Sequence, residues 1–166
     1  MNQILVMGVC GSGKTAVGVA LAHAIRARFI EGDDYHSASN IARMSAGLPL
    51  DDAARAPWLT VLAGELRNAA ASNESVVLAC SALKEAYRAR LRDSCPALRT
   101  IWLDVPHAVL EQRLRSRHSH FMPASLLTSQ LADLEVPRDA IVVKATIPLH
   151  KLVTILVGRL SQVCPR

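Results

Sequence analysis

The stretch from Gly8 to Thr15 constrains the fold of this chain more than any other part of the sequence. It reads G-V-C-G-S-G-K-T, which is a complete G-x-x-x-x-G-K-T phosphate-binding loop. An apolar run at 4–7 predicts a buried strand before the loop, and a segment at 16–28 rich in alanine, valine and leucine predicts a helix after it. This strand–loop–helix context indicates a site for ATP or GTP rather than a chance glycine-rich turn.

The chemistry of such a loop assigns roles to its residues. Glycines allow tight turning, and successive backbone N–H groups then surround phosphate oxygens at a helix N-terminus. We predict that Lys14 reaches the β- and γ-phosphates and that the Thr15 hydroxyl binds Mg²⁺. The predicted nucleotide-binding residues of the loop are Gly8, Gly11, Ser12, Gly13, Lys14 and Thr15.

Five predicted strands alternate with predicted helices along the chain. The strands lie at 4–7, 29–31, 76–80, 99–103 and 140–143, and the helices at 16–28, 37–47, 51–73, 83–92, 106–117, 124–134 and 149–160. This alternation predicts an α/β fold of three layers, α/β/α, with a parallel five-stranded sheet. Right-handed crossovers bring the carboxyl ends of the strands to one edge, where we expect Lys14, Asp33, Ser81 and Asp104.

Composition limits the classes of protein that fit. The 166 residues suit a single domain, 1–166, and the 51% hydrophobic content is enough for a full core. We expect no membrane span and no signal peptide, and the four cysteines without a C-x-x-C pair suggest reduced thiols in a cytoplasmic protein. The net charge of +5 suits an anionic substrate, and because the arginines are dispersed we expect neither a nucleic acid nor a membrane as partner.

Acidic residues follow the second predicted strand. Asp33 stands two residues beyond it, where a carboxylate can orient an acceptor hydroxyl and take its proton, so we predict a general base. Glu31 points to the same side of an extended chain and is a candidate to hold Mg²⁺. The alternative is that Glu31, Asp33 or Asp34 merely caps the following helix.

Two groups of basic residues are candidates for binding anions. Lys84, Arg88 and Arg92 are spaced to share one helical stripe, and the first two lie nearer the predicted cleft; the alternative is a solvated face. A second group, at the end of a helix, comprises Arg113, Arg115, Arg117, His118 and His120. We predict a lid at about 116–124, with Arg113 and Arg117 binding the nucleotide and Arg117 catalytic, against the alternative of an exposed basic helix end.

An ordered series of segments resembles the small P-loop gluconokinases of bacteria. Besides the phosphate loop, these are E-G-D-D-Y-H-S-A-S-N at 31–40, R-M-S-A-G-L-P-L-D-D-A-A-R-A-P-W-L at 43–59, C-S-A-L-K-E-A-Y-R-A-R-L-R at 80–92 and H-F-M-P-A-S-L-L-T-S-Q-L-A-D-L-E at 120–135. The departures from the family pattern are Glu31, Ser37, Ala54 and Leu131, and they bear on substrate preference.

The resemblance implies phosphorylation of D-gluconate at its 6-hydroxyl by ATP with Mg²⁺. It also implies an adenylate-kinase- and shikimate-kinase-like fold with a lid, acceptor-binding helices at about 37–72, and a homodimer. The residues that it implies around the sugar acid or the phosphates are Asp33, His36, Arg55, Lys84, Arg88 and Gln130. The alternatives are a related kinase for shikimate or a nucleoside monophosphate, and a nucleotide-binding module without metabolic chemistry.

Overall fold

The structure is a computed structural model that describes residues 1–116 and 126–162. Its strands are β1 (Gln3–Met7), β2 (Arg28–Glu31), β3 (Val76–Ala79), β4 (Leu98–Asp104) and β5 (Ile141–Lys144). Its helices are α1 (Lys14–Ile25), α2 (Ala38–Ser45), α3 (Asp52–Ala71), α4 (Glu85–Ser94), α5 (His107–Arg115), α6 (Leu126–Asp133) and α7 (Leu149–Gln162), and a short 3-10 helix spans Gly32–Tyr35. Within these residues, no helix combines the length and the apolar character that crossing a membrane requires.

The strands form one parallel sheet in the order β2-β3-β1-β4-β5. Ala79 at the end of β3 pairs with Val6 of β1 on one side and with Glu31 of β2 on the other. The neighbouring strands therefore end at the same edge, and the predicted five-stranded parallel sheet is confirmed.

Alternate residues of β1 pack into two different hydrophobic cores, one on each face of the sheet. Ile4 and Val6 pack on the side covered by α1, α5 and α7, whereas Leu5 and Met7 pack on the side covered by α3 and α4. All four side chains are fully buried. A parallel sheet with helices on both faces requires such continuously apolar strands, and the result is the predicted three-layer α/β/α fold.

Among the helix boundaries that differ from the prediction, two lie next to candidate site residues or strands. The first helix ends at Ile25 because Arg26 adopts a left-handed conformation, with φ of 54°, and the chain enters β2 at Arg28. Helix α4 begins at Glu85 instead of residue 83, and Lys84 before it has extended backbone angles. Lys84 therefore precedes α4 instead of lying within it, and its side chain bonds to Asp52 of α3.

Candidate active site

The phosphate loop is formed between β1 and α1 as predicted. Gly8 has φ of 152°, and a Cβ at this position would lie 2.7 Å from the Ser12 hydroxyl oxygen. The Lys14 ammonium donates a hydrogen bond to the carbonyl of Val9 at 3.2 Å. The loop is therefore closed on itself, with its lysine held at the N-terminus of α1.

A cavity of about 340 Å³ opens beside the phosphate loop. Arg113 from α5 spans it: Nη1 donates to the carbonyls of Gly11 (3.4 Å) and Ser12 (3.3 Å), and Nη2 to that of Ala145 (2.6 Å). Among the residues that line the rest of the wall are Val17, Ile147, Leu149 and Leu152. A largely apolar cleft with a few polar groups suits the base and sugar of a nucleotide, and Arg113 lies in its wall beside the phosphate loop.

Thr15 and Glu31, the two predicted Mg²⁺ residues, lie in contact. The Thr15 hydroxyl donates to Oε2 of Glu31 at 2.7 Å. Burial raises the pKa of Glu31, and the bond from Thr15 offsets part of that rise. Mg²⁺ is usually held by one or two protein oxygens plus substrate phosphates, and the described residues contain no group of three or more His, Cys, Asp or Glu that could cage a metal ion. This pair of oxygen donors fits Mg²⁺.

Glu31 does form a helix cap, whereas the carboxylate of Asp33 does not. Oε1 of Glu31 accepts the backbone N–H of Asp33 at 3.4 Å and caps the 3-10 helix. The next helix, α2, is capped by Ser37, whose hydroxyl accepts the N–H of Asn40 at 3.2 Å. Neither cap uses the carboxylate of Asp33, which instead lines a pocket.

This acceptor pocket lies between α3, α6 and the segments that follow β2 and β3. Its lining residues are Asp33, His36, Met44, Pro49, Leu50, Arg55, Trp58, Ser81, Leu126, Ser129 and Gln130. Four of them, Asp33, His36, Arg55 and Gln130, are predicted acceptor-binding residues, and the structure brings them together. The cavity volume is only about 30 Å³, and three of its lining residues, Met44, Leu50 and Leu126, form a small hydrophobic cluster.

His36 is held flat against Trp58 at the base of the pocket. The two rings stack with centroids 4.2 Å apart and planes inclined by 16°. The Trp58 indole N–H donates to the carbonyl of Gly32 at 2.7 Å, which fixes the stack to the 3-10 helix. Burial lowers the pKa of His36, although Asp33 acts in the opposite direction. The imidazole is therefore neutral at neutral pH, a form that can donate to and accept from sugar hydroxyls.

Arg55 belongs to a network that joins three helices. Its Nη1 donates to Oδ2 of Asp133 at 2.9 Å and to the Tyr87 hydroxyl at 3.1 Å. That hydroxyl donates to Asp52, which also accepts a bond of 2.7 Å from Lys84. Burial by itself lowers the pKa of Arg55, but Asp133 and Tyr87 outweigh it and raise the pKa above its ordinary value. Lys84 thus lies beside the acceptor pocket without lining it.

Arg88 does not line the acceptor pocket either. Its side chain is 1% exposed, and Nη1 donates to the carbonyls of Ala82 (3.0 Å) and Leu83 (2.7 Å) while Glu85 pairs with Nη2 at 2.8 Å. Ala82 has φ of 42°, a left-handed conformation that is unfavourable for alanine. Arg88 therefore stabilises a strained loop after β3, and this placement favours a supporting role over the predicted contact with substrate.

Among the described residues, hydrogen bonds at two places connect the phosphate loop to the acceptor pocket. One is the Thr15–Glu31 bond, since Glu31 also holds the backbone of Asp33. The other runs from the backbone N–H of Cys10 to Oε1 of Gln130 on α6, at 2.7 Å. The groups that would meet ATP and those that would meet the acceptor therefore form one continuous site.

Several contributors to the site were not identified as such from the sequence. They are Asp52, Trp58, Tyr87 and Asp133, whereas Ser81, expected at this edge of the sheet, lines the acceptor pocket. Trp58 and Tyr87 belong to the family motifs P-W-L and K-x-x-Y-R. The resemblance therefore pointed to these two residues but assigned them no role. Arg117, His118 and His120 lie outside the described residues, as does all of the predicted lid except Ser116.

Comparison with known proteins gives consistent matches along the chain. A family described as an AAA domain matches residues 4–137. Gluconokinase of Gluconobacter oxydans is 47% identical over 136 residues, covering 82% of this chain and 76% of that protein. The crystal structure of a gluconokinase from Sinorhizobium meliloti 1021 superposes with a TM-score of 0.87 at 43% identity, covering 98% of this chain and 93% of that one. The crystal structure of an unliganded sugar kinase from Janibacter sp. HTCC2649 superposes with a TM-score of 0.92 at 41% identity, covering 97% of this chain and 95% of that one.

Proposed function

This chain belongs to the gluconokinase family, and from that premise we propose how its own residues transfer the γ-phosphoryl group of ATP to D-gluconate. The enzyme is an ATP-dependent small-molecule kinase with 6-phospho-D-gluconate as its product. The observation that carries the proposal is the acceptor pocket, where Asp33 and Arg55 line one cavity. Gln130 of the same lining accepts a hydrogen bond from Cys10 in the complete phosphate loop. A kinase for a hydroxy acid needs this combination of a base, a cation and a phosphate site.

The phosphate loop and its neighbours bind the nucleotide in this proposal. The backbone N–H groups of the loop and Lys14 meet the β- and γ-phosphates, and Arg113 borders the cleft for the base and sugar. Thr15 and Glu31 are the residues that would hold Mg²⁺, directly or through a bound water. When bound, Mg²⁺ neutralises charge on the phosphate oxygens.

The acceptor pocket orients the sugar acid by binding both ends of its carbon chain. Asp33 orients the 6-hydroxyl and accepts its proton, and neutral His36 bonds to hydroxyls of the chain. Arg55 binds the carboxylate of the sugar acid. Among the described residues that line this pocket, Arg55 carries the positive charge and Asp33 the negative charge. One guanidinium matches the single charge of a carboxylate, whereas a nucleoside monophosphate brings about two negative charges at neutral pH. This balance supports gluconate over a nucleoside monophosphate as the acceptor.

Other parts of the proposal rest on the family. Arg117 and the lid at about 116–124 would bring positive charge to the transferring phosphoryl group and exclude water. Lys84 and Arg88 would act on the acceptor site through neighbouring residues. We also propose that the enzyme is a cytoplasmic homodimer of a single-domain chain, since the resemblance to gluconokinases implies the dimer and the cysteine usage suits the cytoplasm.

Replacing Glu31 with glutamine is expected to raise the Mg²⁺ concentration for half-maximal activity about tenfold or more, a typical result of altering the support of a metal site. The amide retains the shape and an acceptor for Thr15 but lacks the negative charge. Mg²⁺ titrations at fixed ATP measure the effect. Glu65→Gln, a change on the outer part of α3 where Glu65 pairs with Arg28, should leave the Mg²⁺ requirement unchanged. An unchanged requirement in Glu31→Gln would remove Glu31 from the metal site.

A panel of acceptors tests the function itself. ADP release is followed with D-gluconate, shikimate and AMP at equal concentrations, with a no-acceptor control. We expect rapid release with gluconate and background rates with the others. Faster release with shikimate or AMP would assign the enzyme to the related kinases, and background release with all three would favour a nucleotide-binding module.

A further inference from the structure

Arg55 is anchored more firmly than a side chain that simply lines a pocket. It is only 13% exposed at the side chain and forms an ion pair with Asp133, which comes from α6, 78 positions along the chain. The ring of Tyr87, on α4, lies 5.6 Å from the guanidinium carbon, and its hydroxyl accepts a hydrogen bond from the same Nη1. Two different elements thus hold one nitrogen of Arg55.

The anchors are themselves paired, so they are not free to follow other ligands. Tyr87 donates its hydroxyl hydrogen to Asp52, and Lys84 bonds to Asp52 at 2.7 Å and lies 3.8 Å from Asp133. The network contains two cations and two carboxylates and is therefore neutral. Arg55 and Asp52, the two charged residues that α3 contributes to this network, are therefore both paired before an acceptor arrives.

This arrangement leaves one edge of Arg55 for a ligand. The hydrogen bonds that Arg55 makes among the described residues all use Nη1, so Nε and Nη2 remain as a pair of parallel donors. A carboxylate prefers two parallel N–H bonds from such an edge. Arginine otherwise loses rotamer freedom on binding, and anchoring at Nη1 removes part of that cost in advance.

We propose that Asp133 and Tyr87 are positioning residues that fix Arg55 for the substrate carboxylate, and thereby set the preference for an aldonic acid over a neutral polyol. The inference rests on the proposed function, since it concerns the same acceptor pocket. Asp133 and Tyr87 act only through Arg55 and touch no reacting atom. The preference therefore depends on residues of α4 and α6 that lie behind the pocket wall.

The test compares two ligands that differ at one end. D-Glucitol has the carbon chain and hydroxyls of D-gluconate but carries a hydroxymethyl group in place of the carboxylate. KM and kcat for gluconate, and the inhibition constant of glucitol against gluconate, are measured for the wild type, Asp133→Asn and Tyr87→Phe. We expect Asp133→Asn to raise KM for gluconate about tenfold with little change in kcat or in glucitol binding, and Tyr87→Phe to act in the same direction more weakly.

A mutant cycle separates positioning from general damage. In an Arg55→Met background, Asp133→Asn should have no further effect on KM, because Asp133 acts through Arg55. Asp139→Asn, which removes an acid paired with Arg92 outside the pocket, serves as the matched control and should leave both ligands unaffected.

Three outcomes would overturn the inference. They are an equal loss of gluconate and glucitol binding in Asp133→Asn, tighter gluconate binding in that variant, and an undiminished effect of Asp133→Asn in the Arg55→Met background. A wild-type enzyme that fails to phosphorylate gluconate would instead refute the proposed function, so the two failures are distinguishable.

Discussion

Replacing Lys14 with alanine is expected to lower kcat at least about 100- to 1,000-fold while the protein remains folded. The ammonium lies at the N-terminus of α1, where the loop carbonyl of Val9 now holds it. In the reaction it stabilises charge that develops on the β- and γ-phosphate oxygens, and removing one such preorganised donor typically costs this factor. Steady-state kinetics with saturating gluconate, together with thermal unfolding, measure the two quantities.

The matched control for this substitution is Lys151→Ala. Lys151 is an exposed lysine of α7, so its removal changes the net charge equally without touching the phosphate loop. We expect wild-type kinetics from the control. Near-normal turnover in a folded Lys14→Ala protein would contradict the assignment of the loop as the phosphoryl-transfer site.

Replacing Asp33 with asparagine is expected to lower kcat by about 10²- to 10⁴-fold, the usual contribution of a general base. The effect should fall toward the lower end because phosphoryl transfer has a loose transition state and the base acts late. ATP binding should change little, since the hydrogen bond that joins Asp33 to Glu31 uses its backbone N–H, which the substitution retains. Isothermal titration with a nonhydrolysable ATP analogue and steady-state kinetics separate binding from turnover.

Asp34→Asn provides the control for Asp33→Asn. Asp34 is the adjacent residue of the same 3-10 helix and is exposed, so it should tolerate the change with full activity. The caps of the neighbouring helices are supplied by Glu31 and Ser37, so loss of a cap would not explain a slow Asp33→Asn enzyme. Full activity of Asp33→Asn with gluconate would make Asp33 structural.

Local patterns predicted the sheet and the phosphate loop because both are encoded over short stretches. The strand at 76–80 is continuously apolar, and β3 is buried on both faces of the sheet. The strand–loop–helix order around Lys14 likewise needs only neighbouring residues. Since the carboxyl ends of parallel strands share one edge, the placement of Asp33 beside the nucleotide site also followed from the pattern.

The basic stripe at Lys84, Arg88 and Arg92 shows where spacing was insufficient. The prediction of this stripe assumed a helix from residue 83, but α4 begins at Glu85. The three cationic side chains also have different partners. Lys84 pairs with Asp52, Arg88 binds backbone carbonyls, and Arg92 pairs with Glu85 and Asp139. These partners come from distant and neighbouring segments, which periodicity cannot identify.

The network around Arg55 was beyond sequence reasoning for a related reason. Tyr87 and Asp133 lie 32 and 78 positions from Arg55 along the chain, and each sits on a helix whose pattern reports only burial. The small volume of the acceptor pocket was also not predicted, because the cluster of Met44, Leu50 and Leu126 combines residues of α2, of the segment before α3 and of α6. Both features arise from packing between elements.

The site of phosphorylation on the sugar acid tests the central claim most directly. The purified enzyme is incubated with ATP, Mg²⁺ and D-gluconate, and the product is examined by proton-coupled ³¹P NMR alongside the amount of ADP formed. The account predicts one phosphomonoester signal, equal in amount to ADP and split into a triplet by the two protons on C6. A doublet from a phosphate on a secondary hydroxyl, an unsplit acyl phosphate signal, or ADP without a phosphate ester would contradict it.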